Sequence, residues 1–175
     1  MKTSSQGIEL IMHFESLHDG DLSQIGLQPK MDCLGIWTVG YGHALKVDGE
    51  FLRGEADKSR AYEMFPNLTE LQASVLLQAD LMERERHIDG LKLNLSQNEF
   101  DALVSFVYNV GSKNLRDSSL LKFLCSGNWS DSDIKWAFSL YNKGRVNGIL
   151  KVLPGLIKRR RSEAELFLTG NLIYT

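Results

Sequence analysis

The sequence predicts an α+β fold, mostly α, in two lobes: a small sheet-bearing lobe up to about residue 66 and a larger helical lobe after it, joined by a long helix. Two observations predict this. The glycine- and aromatic-rich stretch GIWTVGYGH at 35–43, followed by an Asp48-Gly49 pair, carries strand and hairpin signals. From Ala56 onward the apolar residues recur at helical spacing behind two capping boxes.

The first helix opens at Ser5, with Ile8, Ile11, Met12 and Glu15 on one stripe, so an otherwise apolar stripe ends on a glutamate. Residues 18–30, HDGDLSQIGLQPK, lack periodicity and read as a loop. The region from 35 to Leu52 is expected to hold the only sheet. Ala56 to Phe65 is a short helix stopped by Pro66, and Thr69 with Gln72 caps a longer one. Ser96 with Glu99 caps a helix carrying Phe100, Leu103, Val104, Val107 and Val110, which Gly111 terminates. Leu120 to Leu124, Ser132 to Leu140 and Leu156 to Leu168 are further amphipathic helices, with Gly127, Gly144, Gly148 and Pro154-Gly155 between them.

A chain of 175 residues, 43% hydrophobic and 24% charged, is long enough to bury about 70% of its unfolded surface in one domain. A net charge of -2 gives no general attraction to nucleic acid or anionic membrane. The apolar residues of the N-terminus are interrupted by Glu9, His13 and Glu15, unlike a signal peptide or membrane span. Cys33 and Cys125 form no paired motif and read as two free thiols, with a single bridge as the alternative. The run Lys158-Arg159-Arg160-Arg161, followed by Glu163 and Glu165, reads as a solvated helix face with internal pairing rather than a nucleic-acid contact.

If residues 36–44 are extended, Trp37, Val39, Tyr41 and His43 share one face, and Thr38, Gly40, Gly42 and Ala44 share the other. The second face is nearly bare, with Thr38 its one hydroxyl. Glycines weaken a strand, and a ligand groove or a close-packed bulge would each justify them. Upstream, Glu15 lies on an apolar stripe, and a carboxyl partly withdrawn from water keeps its proton more firmly. That is what protonating a leaving oxygen requires. Asp32 lies in a polar turn six residues before Thr38. Two carboxyls in contrasting environments form the pair a glycosidase uses. A helix-end glutamate and a loop aspartate are also commonplace in structural roles.

Phe14-Glu15 at the end of an N-terminal helix, Asp32 with GIWTVGYGH, QNEFDALVSFVYNVG at 97–111 and LPGLIKRRRSEAELFLTG at 153–170 together resemble the phage-type lysozymes, the endolysin and muramidase family of glycoside hydrolases. The resemblance spans nearly the whole chain. It implies a single lysozyme-like domain that hydrolyses the bond between N-acetylmuramic acid and N-acetylglucosamine in peptidoglycan. Glu15 would be the general acid, and Asp32 with Thr38 would activate water from the opposite side, giving inversion. Tyr108 and Ser119 would meet the sugar chain, Tyr108 being otherwise a packing residue and Ser119 a helix cap. Gly40 and Gly42 would form the floor beneath it, and His43 would pack and hydrogen-bond behind the site. A lytic transglycosylase, or a wall-binding module without turnover, are the competing readings. The resemblance further implies a monomer on glycan strands, without metal or cofactor, nucleic acid or stable membrane insertion. It would be made in the cytoplasm and released through a separate membrane pore.

The sequence departs from the family pattern in places. Sixteen residues separate Glu15 from Asp32, a longer span than these lysozymes usually have, which leaves Asp19 and Asp21 as rivals to Asp32. Ser16 stands where glycine is common after the acid, and Cys33 where proline often follows the aspartate. His18, Asp19 and Asp21 are too few and too close together to form a metal site.

Overall fold

The computed structural model describes residues 1–32, 34–146 and 148–174. It divides into two compact units, Glu15–Asp80 and Met1–Phe14 with Leu81–Thr175.

In the first unit, β1 (Lys30–Met31), β2 (Trp37–Val39) and β3 (His43–Ala44) form an antiparallel sheet in that order. Lys30 pairs with Thr38, and Thr38 with Ala44. The expected strand over 36–44 is therefore broken. Gly40 and Gly42 have φ of 61° and 85°, a region open to glycine at little cost, and they reverse the chain between β2 and β3. All of β2 is buried, so the expected bare face does not exist there. Trp37 donates its indole N–H to the Gly54 carbonyl at 2.7 Å and meets Tyr62 edge-on, in a core with Val39, Leu45 and Leu52.

The Asp48-Gly49 pair makes the expected tight hairpin between β4 (Lys46–Val47) and β5 (Glu50–Phe51). Both turn residues have positive φ, 52° and 87°, as a two-residue turn matched to strand twist requires. A 3-10 turn, Glu55–Asp57, leads into α2 (Lys58–Met64), which stops before Pro66. The loop at 18–30 is tied down by bonds from Gly20 N–H to the Gln28 carbonyl and from Leu27 N–H to the Leu68 carbonyl. The buried Gln28 amide donates to the carbonyls of Ile25, Gly26 and Pro66.

Two helices run across the division of the chain, α1 (Ser5–Glu15) and α3 (Glu70–Gly90). The Thr69–Gln72 box forms, with Thr69 N–H donating to the Gln72 side chain and Gln72 N–H to the Thr69 hydroxyl. In the helical unit, α4 (Gln97–Val110) is buried continuously from Phe100 to Val107, as a helix surrounded by others must be. Its Ser96–Glu99 capping box and Gly111 stop are both present.

The chain continues through α5 (Ser112–Asp117), α6 (Ser119–Ser126) and α7 (Asp131–Ser139) to α8 (Pro154–Thr169), which packs on α4 and α7. Phe106, Phe138 and Phe167 interlock edge to face at this junction. A further sheet lies between α7 and α8 in the chain, contrary to expectation: β6 (Lys143–Val146) and β7 (Ile149–Val152) form a hairpin. The Asn147-Gly148 pair between Val146 and Ile149 is the two-residue turn signal that announces it. Gly148 has φ 79°.

The basic run on α8 is solvated only at Lys158 and Arg161, and its expected internal pairing forms within the core. Arg159 and Arg160 are 3% and 1% exposed, and Glu163 is fully buried. Glu163 Oε1 accepts from Arg159 Nε at 3.0 Å, from one Arg160 nitrogen at 2.9 Å and from the Ser105 hydroxyl at 2.8 Å. Lys158 and Arg161 remain in solvent. The two arginines are held by partners more than fifty residues away, Ser105 and Asn109, which no local charge pattern reveals.

Candidate active site

Glu15 is the last residue of α1 and is half-buried. The helix buries Gly7, Leu10 and Ile11, which leaves Glu15 at the margin of the apolar stripe. The chain turns away at once because Ser16 takes a left-handed φ of 57°. That conformation is the physical reason glycine suits the position. Glu15 Oε2 lies 3.4 Å from where a Cβ on Gly42 would sit, so the β2–β3 turn leaves space beside the carboxylate. Gly40 differs: it is buried, and a Cβ there would meet the Ala73 side chain at 2.8 Å. Gly42 thus lies beside the Glu15 carboxylate, while Gly40 packs against α3.

Asp32 heads the turn from β1 to β2. Its Oδ1 accepts the amides of Leu34 and Ile36, each at 2.8 Å, and its own N–H donates to the Ile36 carbonyl. Two amide donors fix the carboxylate plane and commit Oδ1. Oδ2 makes no hydrogen bond to a described residue. The rival aspartates belong to their own loop. Asp19 accepts from the amides of Asp21 and Gln28. Asp21 has both oxygens engaged, by Ser23 and by Gln24, and these bonds hold its carboxyl below the usual range.

Thr38 is 6% exposed, and its hydroxyl donates to the Lys30 carbonyl at 3.0 Å, across the β1–β2 pair. Its hydrogen is thus used within the sheet, and only oxygen lone pairs remain for another molecule. His43 Nδ1 lies 2.9 Å from Asp80 Oδ2, a partner that sequence spacing does not suggest. Tyr41 is buried beside the same turn; burial, reinforced by the Glu70 charge, raises its phenol above the ordinary value.

Glu15, Asp32, Thr38, Gly40 and Gly42 all belong to one compact unit, and Tyr108 and Ser119 to the other. Tyr108, on α4, is half-buried with the Arg84 guanidinium 5.5 Å from its ring centre. Ser119 is the first residue of α6, and its neighbour Ser118 supplies the cap, accepting from Leu121 N–H. The cap alternative for Ser119 is therefore excluded. A cavity of about 450 Å³ between α7 and α8, lined among others by Ser139, Ile157 and Arg161, includes none of the sequence-predicted residues. Among the described residues no cluster of histidine, cysteine, aspartate and glutamate could hold a metal ion. Cys125 is exposed and free, and Cys33 lies outside the described residues. No helix among the described residues is long and apolar enough to cross a membrane.

A small antiparallel sheet unit and a helical unit built round a buried central helix define a lysozyme-class α+β protein, and known proteins agree. Residues 23–163 match the Phage lysozyme family model, a span that includes Asp32, Thr38, Tyr108 and Ser119 and begins after Glu15. The endolysin of Acyrthosiphon pisum secondary endosymbiont phage 1 is 32% identical over 95% of this chain and 98% of its own. Among solved structures, the endolysin from Escherichia coli O157:H7 phage FAHEc1 superposes with a TM-score of 0.76 at 30% identity, covering 99% of this chain and 97% of that one. The muramidase domain of SpmX from Asticaccaulis excentricus gives 0.73 at 32% identity, covering 96% and 98%. The chain belongs to the phage lysozyme family, and is a peptidoglycan hydrolase of the cell-wall-lysing type.

Proposed function

We propose that the protein is a muramidase that hydrolyses the β-1,4 bond between N-acetylmuramic acid and N-acetylglucosamine with inversion. The observation that carries this reading is the presence, within one unit, of a helix-end glutamate beside a glycine and an aspartate with one oxygen fixed by two amides and the other not.

Glu15 donates its proton to the glycosidic oxygen as the bond from that oxygen to C1 breaks. Asp32 Oδ2 takes a proton from a water that attacks C1 from the opposite face. The Thr38 hydroxyl, its hydrogen directed to Lys30, orients that water by accepting its second hydrogen. Glu15 ends deprotonated and Asp32 protonated, and solvent exchange restores both. Inverting enzymes hold their two carboxyls roughly 6.5–9.5 Å apart, leaving room for the water. Gly42 leaves space for the sugar beside Glu15; Tyr108 stacks on a pyranose face, and Ser119 hydrogen-bonds a ring substituent. The whole chain works as one lysozyme-like domain, a monomer acting on glycan strands after release from the cytoplasm through a separate pore.

Mass spectrometry of muropeptides released from purified peptidoglycan tests this directly. The expected products are hydrated reducing-end N-acetylmuramic acid species, lost with Glu15→Gln and with Asp32→Asn but kept with Asp19→Asn and Asp21→Asn. Anhydro products would establish a lytic transglycosylase. Binding without release, unchanged by Glu15→Gln, would establish a module without turnover.

A further inference from the structure

The β6–β7 hairpin is a two-stranded ribbon whose strands, among the described residues, pair only with each other. Such a ribbon is marginal in water unless something covers it. It nevertheless carries four exposed aliphatic side chains: Val146 at 39%, Ile149 at 59%, Leu150 at 58% and Val152 at 49%. The register divides them between both faces. Leu150 and Val152 stand opposite Arg145 and Lys143 on one face; Val146 and Ile149 lie with Lys151 on the other. A flat protein partner would cover one face and leave the second in water. Edge-to-edge pairing with a second copy is opposed by the lysines and arginine along the strands. A lipid interface, by contrast, receives both faces of a ribbon tip at once.

The charges select the kind of lipid. From Ile134 to Ser162 the sequence has no aspartate or glutamate, although the whole chain carries a net charge of -2. Within that acid-free stretch, Lys143, Arg145 and Lys151 lie exposed on the hairpin, and Lys158 and Arg161 lie exposed on the first half of α8. Arg145 also donates to the Gly148 carbonyl at 2.9 Å, which holds its charge at the turn. Aliphatic side chains at a tip, with cations behind them on strands that carry no carboxylate of their own, are what an anionic headgroup layer accommodates.

We propose that the β6–β7 hairpin docks the protein peripherally on an anionic phospholipid bilayer, with Val146, Ile149 and Leu150 at the headgroup boundary and the neighbouring bases against lipid phosphates. The docking is independent of hydrolysis, so its test does not depend on the proposed chemistry.

The experiment is co-sedimentation of the full chain with vesicles of equal parts phosphatidylglycerol and phosphatidylcholine, against vesicles of phosphatidylcholine alone. Binding is expected to the anionic vesicles, weakening as salt is added. The double variant Ile149→Ser/Leu150→Ser is expected to bind roughly tenfold more weakly. Lys143→Gln, Arg145→Gln and Lys151→Gln are expected to weaken binding about fivefold per charge removed. Circular dichroism and thermal melting check that each variant folds; a variant that does not fold is replaced by the corresponding single substitution. No binding, equal binding to neutral vesicles, binding unchanged in both variant sets, or a dimer abolished by the apolar variant would overturn the proposal.

Discussion

The Glu15 carboxylate lies 3.4 Å from the position a side-chain carbon would take on Gly42, and Gly42 itself is held at φ 85°. Glycine is favoured here by its backbone conformation, and a side-chain carbon would come into contact with the acid. Gly42→Ala is expected to cost about 1–2 kcal/mol in stability from the left-handed backbone. It is also expected to cost roughly 100-fold in turnover, because a sugar displaced by even an ångström no longer meets the acid. Chemical denaturation and a lysis assay on permeabilised cells measure the two effects separately. A variant with full activity would show that the space beside Glu15 is not used.

Ser16 has the opposite problem. It adopts φ 57° without being a glycine, at the point where α1 ends. Relief of that strain outweighs glycine's larger loss of backbone freedom, so Ser16→Gly is expected to stabilise by about 0.5–1 kcal/mol. In thermal melting this is a rise of roughly 2–3 °C. An unchanged or lowered midpoint would mean that the serine side chain compensates for its backbone.

The buried cluster on α8 separates two pairs of neighbours that look alike in sequence. Glu163→Gln leaves two buried guanidinium groups without their shared carboxylate and is expected to destabilise by about 3–5 kcal/mol. Lys158→Gln and Arg161→Gln, in solvent, are expected to stay within about 0.5 kcal/mol of the parent. Urea denaturation of the three variants gives the comparison. Equal, small effects would return the run to the solvated face its composition suggests.

Acid should loosen the helical unit in two steps. Burial and the Arg116 charge depress the His87 imidazole below 6.5, with Glu83 opposing them only in part. As pH falls below 6.5 the unfolded chain takes up a proton at this site before the folded one does, so stability declines. Burial would raise Glu85, but bonds from Thr3 and Lys2 outweigh it and hold the carboxyl below 4.5. Its contribution is present above 4.5 and is lost as pH falls through the folded value. The melting temperature is therefore expected to fall from pH 6.5 downward, and again below 4.5. His87→Gln should flatten the upper step and Glu85→Gln the lower. A flat profile in the parent would contradict both assignments.

What the sequence discloses and what it hides follow the range of the forces involved. The caps at Thr69, Ser96 and Gly111 and the hairpin at Asp48-Gly49 are local devices, and each is legible in a few residues. The break in the strand after Val39 is not, because a glycine permits a positive φ without requiring one; the presence of Ala73 on α3 explains why the chain packs so closely at Gly40. The burial of Arg159 and Arg160 depends on Ser105 and Asn109, which only the fold brings to them. The β6–β7 hairpin had a local signal, Asn147-Gly148, that a helical reading of its surroundings obscures. At the candidate site, residue types point to Glu15, Asp32 and Thr38, but the use of Asp32 Oδ1 by its own turn and of the Thr38 hydrogen by Lys30 is visible only in three dimensions.

The most direct measurement is proton NMR of a defined peptidoglycan oligosaccharide during the first minutes of cleavage, read at the new reducing end before mutarotation. A water poised by Asp32 opposite Glu15 predicts that the α-anomer forms first. Initial appearance of the β-anomer, or of an anhydro sugar with no free reducing end, would contradict it.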